Sequence, residues 1–487
     1  MKILLIFPKW TEDYGLISFF AKKASVWPPL NLCYLASQAE SKGHVVKIID
    51  GEAEDVPADK MVIKAEEFKP DLIGITATTP FFNVAVELAK RFKEKIKGCP
   101  PIIIGGPHIT ILKYEAFLPC FDYGFIGEAD NSWNDFVKCL EEGSDFGSVK
   151  GILYRKDGNV LFSGIADSSI DVDSIPIPAR HLLNLSKYNI GTMHGVKRFT
   201  TIMTSRGCPF NCIFCSTKVF GKRSRRRTPR LVVDEIAYIV KNFGITHFIF
   251  LDDTLTANRD HIMEICDLIK KDNLSITFEA GTRANLLDEE LVAKMAGTGL
   301  TRISFGLESV DENIRKIMRK EVPIESYISS NKLTNKYNIE TLNSCMIGLP
   351  GETIETIEKT LKFLRHSKEI KQANLSIAIP YPGTQLYEMA KKGEYGLKLL
   401  IDDFSKFRRY GSAVMQVGDF TPEDMIRIQN DAFVSIYLAY WRIIPMIRKS
   451  GILGGLLTLG RLLRAIPRIF AKSSEKNISI LRIWKSK

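Results

Sequence analysis

Cys208, Cys212 and Cys215 fall in the run Arg206-Gly207-Cys208-Pro209-Phe210-Asn211-Cys212-Ile213-Phe214-Cys215. Thiolates this close can point into one small pocket. Three of them can hold three irons of a [4Fe–4S] cluster, where a structural or electron-transfer cluster takes four cysteines. The fourth iron then stays open to a ligand, and an open iron on a low-potential cluster is a site for chemistry. A structural zinc needs a fourth ligand, and no His or Cys follows before His247. Three unrelated core cysteines in a Gly/Pro-broken loop are the remaining alternative.

The elements that must position these thiols read as alternating strands and helices. Short apolar strands are predicted at Ile3–Phe7, Val45–Asp50, Asp71–Thr76, Pro101–Ile104 and Tyr123–Ile126, with helices at Leu30–Lys42 and Asn83–Lys97. Such a pattern makes an open parallel sheet whose ligands sit at the carboxyl ends of the strands. Residues 151–197 read as a linker, with a hairpin around Asp157-Gly158 and a Pro-broken stretch at Ile175-Pro176-Ile177-Pro178. A second alternation has strands at 199–204, 246–251, 275–280, 301–306, 340–347 and 373–379, with helices such as Val232–Asn242 and Asp260–Lys271. Six strand–helix units are two short of a full barrel, so a partial (β/α)6 TIM-like barrel is expected over 198–400. Residues 401–487 read as a helical C-terminal region, with a helix start at Thr421-Pro422-Glu423-Asp424.

Composition narrows the setting. The chain has 487 residues, enough for two or three domains. Nine scattered cysteines argue against a disulfide framework and for a reducing cytosol. Met1–Phe7 runs into Pro8-Lys9 without a cleavage site and reads as a strand. No uncharged run reaches the length of a membrane span. Of the net charge of +11, the stretch from Trp441 to Lys487 carries +10. Arg461, Arg464 and Arg468 share one helical face there. The tail reads as an interfacial helix for an anionic membrane surface; a basic helix packed on the protein's own body is the alternative. Lys218 to Arg230 holds seven basic residues and no acid. Solvated surface is the first reading, with an acidic substrate or an electron donor as the others.

The cysteine motif and the strand ends after it resemble the radical S-adenosylmethionine (SAM) superfamily over roughly 195–395. There the open iron chelates SAM, and reduction releases a 5′-deoxyadenosyl radical. Phe210 and Phe214 fill the aromatic positions of its cysteine loop, and Phe305-Gly306-Leu307-Glu308-Ser309 matches its Gly-x-Glu-Ser position. The resemblance implies cluster ligation by Cys208, Cys212 and Cys215. It also implies SAM contacts from Asp252, Asp253, Glu279, Arg283, Glu308 and Gly348. The Asp pair suits an ammonium or ribose hydroxyl, Arg283 a carboxylate, Glu308 ribose hydroxyls, and Gly348 close approach of backbone to adenine. A solvated turn for Asp252-Asp253 and a helix N-terminal acid for Glu308 are the plain alternatives.

Residues 1–150 resemble the cobalamin-binding, Rossmann-like doubly wound domain found ahead of many radical SAM domains. The matching stretches are Pro28-Pro29-Leu30-Asn31-Leu32, Thr76-Ala77-Thr78-Thr79-Pro80, Gly105-Gly106-Pro107-His108 and Gly127-Glu128-Ala129-Asp130. Thr76, Thr78, Gly105, Gly106, Gly127 and Glu128 are the implied cobalamin contacts. A doubly wound fold that binds nothing, or another nucleotide, is the alternative. Many such domains offer cobalt a His in Asp-x-His-x-x-Gly, but this chain has Pro8-Lys9-Trp10-Thr11-Glu12-Asp13-Tyr14-Gly15. Cobalt would then lack a protein imidazole, which favours giving up methyl as a radical. His108 is the tempting substitute, although a His beside a Gly-Gly turn more often hydrogen-bonds locally.

These resemblances imply a cobalamin-dependent radical SAM enzyme that methylates an unactivated carbon of a lipid, isoprenoid or similar small molecule. Reduction would come from a flavodoxin- or ferredoxin-type donor. The alternative keeps both cofactors for cyclisation, ring contraction or oxidative ring closure. A cobalamin-sensing nucleic-acid-binding regulator is the remote one, and nucleic acid is not an expected partner. The place expected is the cytoplasm, with the tail at the inner membrane face.

Overall fold

The computed structural model describes residues 1–11, 26–166, 171–190, 198–216, 219–437, 439 and 441–442. The fold is α/β, in two compact units: Met1–Pro209 with Thr217–Leu251, and Phe210–Ser216 with Asp252–Lys487.

The first unit opens with β1 (Lys2–Phe7), α1 (Leu30–Glu40), β2 (Val45–Asp50), α2 (Ala58–Phe68), β3 (Leu72–Thr76), α3 (Phe82–Lys95), β4 (Ile102–Gly105), α4 (Pro107–Leu112), β5 (Tyr123–Phe125) and α5 (Trp133–Glu142). Ile3 to Ile6 are buried one after another, as expected of a parallel strand covered on both faces. The strands pair in the order β2-β1-β3-β4-β5, with Ile3 opposite Val46 on one side and Leu72 on the other. The order reverses between β1 and β3, and such a reversal opens a crevice at the carboxyl ends. The expected hairpin forms as β6 (Ile152–Lys156) and β7 (Asn159–Phe162), but it extends the first sheet antiparallel to β5. Leu153 joins that sheet's core and Val160 and Phe162 pack against it, so this part of the linker belongs to the sheet.

The same unit continues with β8 (Thr200–Ile202), β9 (Ser205–Arg206), β10 (Arg225–Arg226), α6 (Pro229–Phe243) and β11 (His247–Phe250). β8 and β11 run parallel, and β9 and β10 form an antiparallel clip. Pro229 opens α6 and left-handed Gly244 ends it, the usual asymmetry of helix ends.

The second unit holds α7 (Arg259–Lys271), β12 (Thr277–Thr282), α8 (Glu289–Thr298), β13 (Leu300–Glu308), α9 (Glu312–Ile317), α10 (Ile324–Lys336), β14 (Glu340–Ile347), α11 (Ile354–His366), β15 (Gln372–Ile377) and α12 (Gln385–Lys392). β12 to β15 are parallel neighbours in chain order. Asn258, Asp288, Asp311 and Thr384 each accept a backbone N–H at a helix start, so the loop before each of those helices is pinned. All six strands expected of the partial barrel are present, two in the first unit and four in the second.

Beyond 396 the chain departs from the purely helical expectation. β16 (Leu397–Leu399) and β17 (Met415–Val417) pair antiparallel before α13 (Pro422–Tyr437) begins. Gly396 and Gly418 approach each other there at positive φ, a backbone state glycine adopts at little steric cost. Thr421 and Asp424 cap α13 reciprocally, with Thr421 N donating to Asp424 and Asp424 N to Thr421 Oγ1. Among the described residues no helix is long and apolar enough to cross a membrane. The tail reading falls almost wholly on 443–487, outside the described residues.

Candidate active site

The carboxyl edge of the first sheet gathers the six residues expected to meet cobalamin, at the ends of β3, β4 and β5. Thr76 Oγ1 accepts from Asn31 Nδ2 at 3.1 Å, which fixes its hydroxyl against α1. Thr78 is exposed on the same edge. A methyl group on Gly105 or Gly127 would meet no atom within 4 Å, whereas one on Gly106 would strike Ala77 O at 2.5 Å. Gly106 is therefore needed by the turn itself (φ 107°), while Gly105 and Gly127 keep space open beside the edge. Such a cradle, free of Cβ atoms, fits a bulky cofactor's tail.

No imidazole is offered from the described part of the loop after β1. Trp10 stacks on Phe81 there, with ring centroids 4.9 Å apart; Glu12 to Gly15 lie outside the described residues. His108 is buried, packs on Phe82 at 4.2 Å and shares a hydrogen bond with Thr79 Oγ1 at 3.3 Å. Burial pushes its pKa down to about 4. It is a core histidine with local partners, as a loop His beside Gly-Gly suggests.

Glu128 has a different role. Its carboxylate receives Arg206 at 2.7 Å and also Arg225, and Arg206 bonds Asp130 at 2.7 Å as well. Gln38 Nε2 donates to Asp130, and Arg206 lies over the Tyr34 ring. Arg206 directly precedes Gly207-Cys208, so the start of the cysteine loop is tied to the end of β5. Gly207 permits this: a methyl group there would strike Arg223 O at 2.5 Å. A second buried cluster joins Arg180 and Arg227 to Glu235 at 2.7 and 2.5 Å. The reading of 218–230 as solvated surface is thus corrected for Arg225 and Arg227. Each has a buried carboxylate in reach, which repays the loss of water. Lys222, Arg223 and Arg226 are exposed, and Lys218 lies outside the described residues.

In the second unit the loop Phe210–Ser216 is docked by Ile213. Its N–H donates to Met318 O at 3.2 Å and its carbonyl accepts from Leu386 N at 3.0 Å. Cys215 donates its thiol hydrogen to Cys212. That bond, helped by the Lys320 and Arg283 cations and opposed by burial, holds the Cys212 thiol down to about 7. Each phenylalanine of the loop meets a cation: Arg283 lies 3.8 Å from the Phe210 ring centroid and Lys320 5.8 Å from that of Phe214. Cations on ring faces are held electrostatically.

Glu308 ends β13 in the left-handed region, at φ 62°. A bulge between Gly306 and Glu308 breaks the register with β14 there. Its Oε1 accepts from Lys320 Nζ at 2.7 Å, both side chains being buried. Gly306 lies directly under this pair, and a methyl group there would collide with both partners. The glycine of Gly-x-Glu thus has a steric reason. Gly348 (φ 83°) and Leu349 donate their N–H groups to Glu352, whose carboxyl burial pushes up to about 8 against those bonds. Asp252 is buried and Asp253 exposed at the start of this unit. Crowding and the neighbouring Asp252 carboxylate raise the Asp253 carboxyl. Glu279 is half-buried on β12.

Cys212 and Cys215 stand together, and Cys208 is half-buried on the first unit's stretch. Among the described residues no three His, Cys, Asp or Glu side chains gather as a ready-made metal site. The donor set nevertheless fits a cluster. Two thiols are in contact, one is near its thiolate form at neutral pH, and two cations stand by to offset the charge. Metal ligands take their final places as part of metal binding. Sequence reasoning missed Lys320 and Arg206. An Arg directly before the first cysteine is a faint signal for Arg206. Nothing local singles out Lys320, because its partner is twelve residues back on another element.

Comparison with known proteins identifies both domains. The Radical SAM superfamily model matches residues 202–364 and the B12 binding domain model residues 19–136. An uncharacterized methyltransferase of Pyrococcus horikoshii is 35% identical over 443 residues, covering 90% of this chain and 93% of that protein. An anaerobic magnesium-protoporphyrin IX monomethyl ester cyclase of Rubrivivax gelatinosus is 31% identical over 84% of this chain and 72% of its own length. The structure of the radical SAM methyltransferase TsrM from Kitasatospora setae, with cobalamin and a [4Fe–4S] cluster bound, superposes with a TM-score of 0.70. It covers 89% of this chain and 88% of that one at 16% identity, a likeness of fold. With both domain signatures and relatives this close over most of its length, the chain belongs to the cobalamin-dependent radical SAM enzymes, which work with a [4Fe–4S] cluster, S-adenosylmethionine and cobalamin.

Proposed function

We propose that this enzyme is a C-methyltransferase acting on an unactivated carbon of a small apolar molecule of lipid, isoprenoid or tetrapyrrole type. The observation that carries methylation is the relative matching nine-tenths of this chain, which is named a methyltransferase. When bound, the cluster supplies an electron that splits SAM to a 5′-deoxyadenosyl radical, and cobalamin supplies a transferable methyl group.

The residues divide that work. Cys208, Cys212 and Cys215 would ligate three irons and leave the fourth to SAM. Glu308 would accept ribose hydroxyls, Arg283 would meet the carboxylate, and Asp252, Asp253 and Glu279 would line the remaining polar edge. Gly348, kept open by the N–H bonds to Glu352, would admit adenine. Thr76, Thr78, Gly105, Gly106 and Gly127 would border the cobalamin tail. Glu128 would act on that edge mainly through Arg206. A small acidic electron-transfer protein is the proposed reductant. The basic tail from Trp441 is proposed to meet an anionic membrane, and its removal should then shift the protein out of the membrane fraction.

The cyclase relative favours a second reading, oxidative ring closure on the same two cofactors. One experiment separates the two. Anaerobically reconstituted enzyme is given a reductant, SAM labelled in its methyl group, and candidate lipids or tetrapyrroles. Methylation yields 5′-deoxyadenosine and S-adenosylhomocysteine together, with the label in the product. Ring closure yields 5′-deoxyadenosine and a product that has lost hydrogens and carries no label. Cys212→Ala should abolish both outcomes and the four-iron absorption.

A further inference from the structure

We propose that Lys320 is a positioning residue for SAM: it holds the Glu308 carboxylate in its binding pose and ties that carboxylate to the cysteine loop. The inference rests on assigning Glu308 to SAM. Three independent contacts converge on the short turn that carries Lys320. The Lys320 ammonium bonds Glu308 Oε1 at 2.7 Å. The same ammonium faces the ring of Phe214, the residue between Ile213 and Cys215. Met318 O, two residues earlier, accepts the N–H of Ile213 at 3.2 Å. One turn therefore touches the strand end that should read SAM and the loop that should carry the cluster.

The turn itself is well determined. Asp311 caps α9, accepting from Asn313 N and Ile314 N. Arg319 takes the left-handed state at φ 53°, and Lys320 N returns to Arg315 O at 3.0 Å, a helix ending that fixes the next side chain. Arg315 is buried and bonds Val310 O at 2.6 Å, which anchors the far end of the turn to the segment just after Glu308.

Stability alone is a poor account of this pair. A buried ion pair roughly breaks even against apolar replacement, and Glu308 also occupies a backbone region that non-glycine residues avoid. Gly306 gives up its side chain to make room for the pair. Among the described residues no hydrogen bond reaches Glu308 Oε2. That oxygen is left to accept from a ligand while Lys320 fixes its twin. Burial works against the Lys320 ammonium, but its neighbours, Glu308 first among them, together outweigh burial and raise its pKa.

The test is a double-mutant cycle on reconstituted holoenzyme: wild type, Lys320→Met, Glu308→Gln and the double variant, with Lys320→Arg as rescue. SAM affinity is read by equilibrium dialysis, and the reduced cluster's EPR spectrum is recorded with and without SAM. Losing one charged hydrogen bond's worth of orientation should weaken SAM binding about tenfold in Lys320→Met. The spectrum without SAM should stay unchanged, and Lys320→Arg should recover most of the affinity. In the Glu308→Gln background, where no stranded carboxylate remains to disturb folding, adding Lys320→Met should cost less than about twofold. Wild-type affinity in Lys320→Met, or fully additive losses, would overturn the proposal. If Glu308→Gln itself binds SAM normally, the assignment of Glu308 fails first, and the two failures are thereby told apart.

Discussion

The carboxyl edge of the first sheet is built from small, neutral residues, and the corresponding edge of the second from charges. Gly105 and Gly127 leave space at the ends of β4 and β5, beside Thr76, Thr78 and the turn glycine Gly106. Arg283, Glu308 and Lys320 put charge at and just beyond the ends of β12 and β13. The difference matches what each edge is proposed to hold. A large cofactor with a long tail needs volume without Cβ atoms in its path, whereas a zwitterionic sulfonium needs counter-charges in fixed places. The first unit has charges too, but Arg180, Arg206, Arg225 and Arg227 all spend theirs on Glu128, Asp130 and Glu235. Charges held against carboxylates in this way fasten the fold. A carboxylate such as Glu308, with one oxygen that no hydrogen bond reaches among the described residues, is still open to a ligand.

That contrast breaks most readily at Glu235. Glu235→Gln strands Arg180 and Arg227 together, and removing one member of a buried ion network costs about 3–5 kcal/mol. Urea unfolding should show the unfolding free energy falling by that amount. Glu308→Gln, with one cation to strand, should lose clearly less stability while losing SAM affinity. Equal losses would mean that the two charge clusters do the same job.

The two adjacent glycines sharpen the description of the neutral edge. Gly106→Ala forces a methyl group onto Ala77 O and a side chain into φ 107°. It should cost about 1–3 kcal/mol of stability. The methyl group of Gly105→Ala meets no atom within 4 Å, so thermal melting of the cobalamin-free chain should stay near wild type. Its cobalamin affinity, read from the visible spectrum during titration, should drop about tenfold or more, as for a lost fit of about 1.4 kcal/mol. Unchanged affinity would show that the open space belongs to something else.

A further test reads the second sheet's edge through pH. The Glu352 carboxyl titrates near 4.5 when exposed and near 8 in its buried loop. The native state therefore prefers the protonated form. Its contribution is whole below about pH 4.5 and is lost as pH rises toward 8. Glu352→Gln should lose less melting temperature between pH 5 and 8.5 than wild type does. A parallel decline in both proteins would remove Glu352 from the account.

Local spacing determined much of this enzyme. The cysteine triad, the strand-end motifs and the six strands of the second alternation are written in runs of a few residues, because ligand spacing and apolar periodicity are local properties. Gly-x-Glu could be recognised from its letters, although the reason for its glycine could not. Tertiary structure alone decided which charges meet. Glu128 sat in a motif beside the cobalamin edge, yet the fold hands its carboxylate to Arg206 and Arg225, 78 and 97 residues away. Arg225 and Arg227 looked like solvated cations because a run of basic residues says nothing of the acids another segment will bring to it. Lys320 had no distinguishing neighbours at all. Its role is set by a turn that delivers one ammonium to a strand end and a loop at once. Pairing across a fold depends on topology, and spacing along the chain does not say which partners it will bring together.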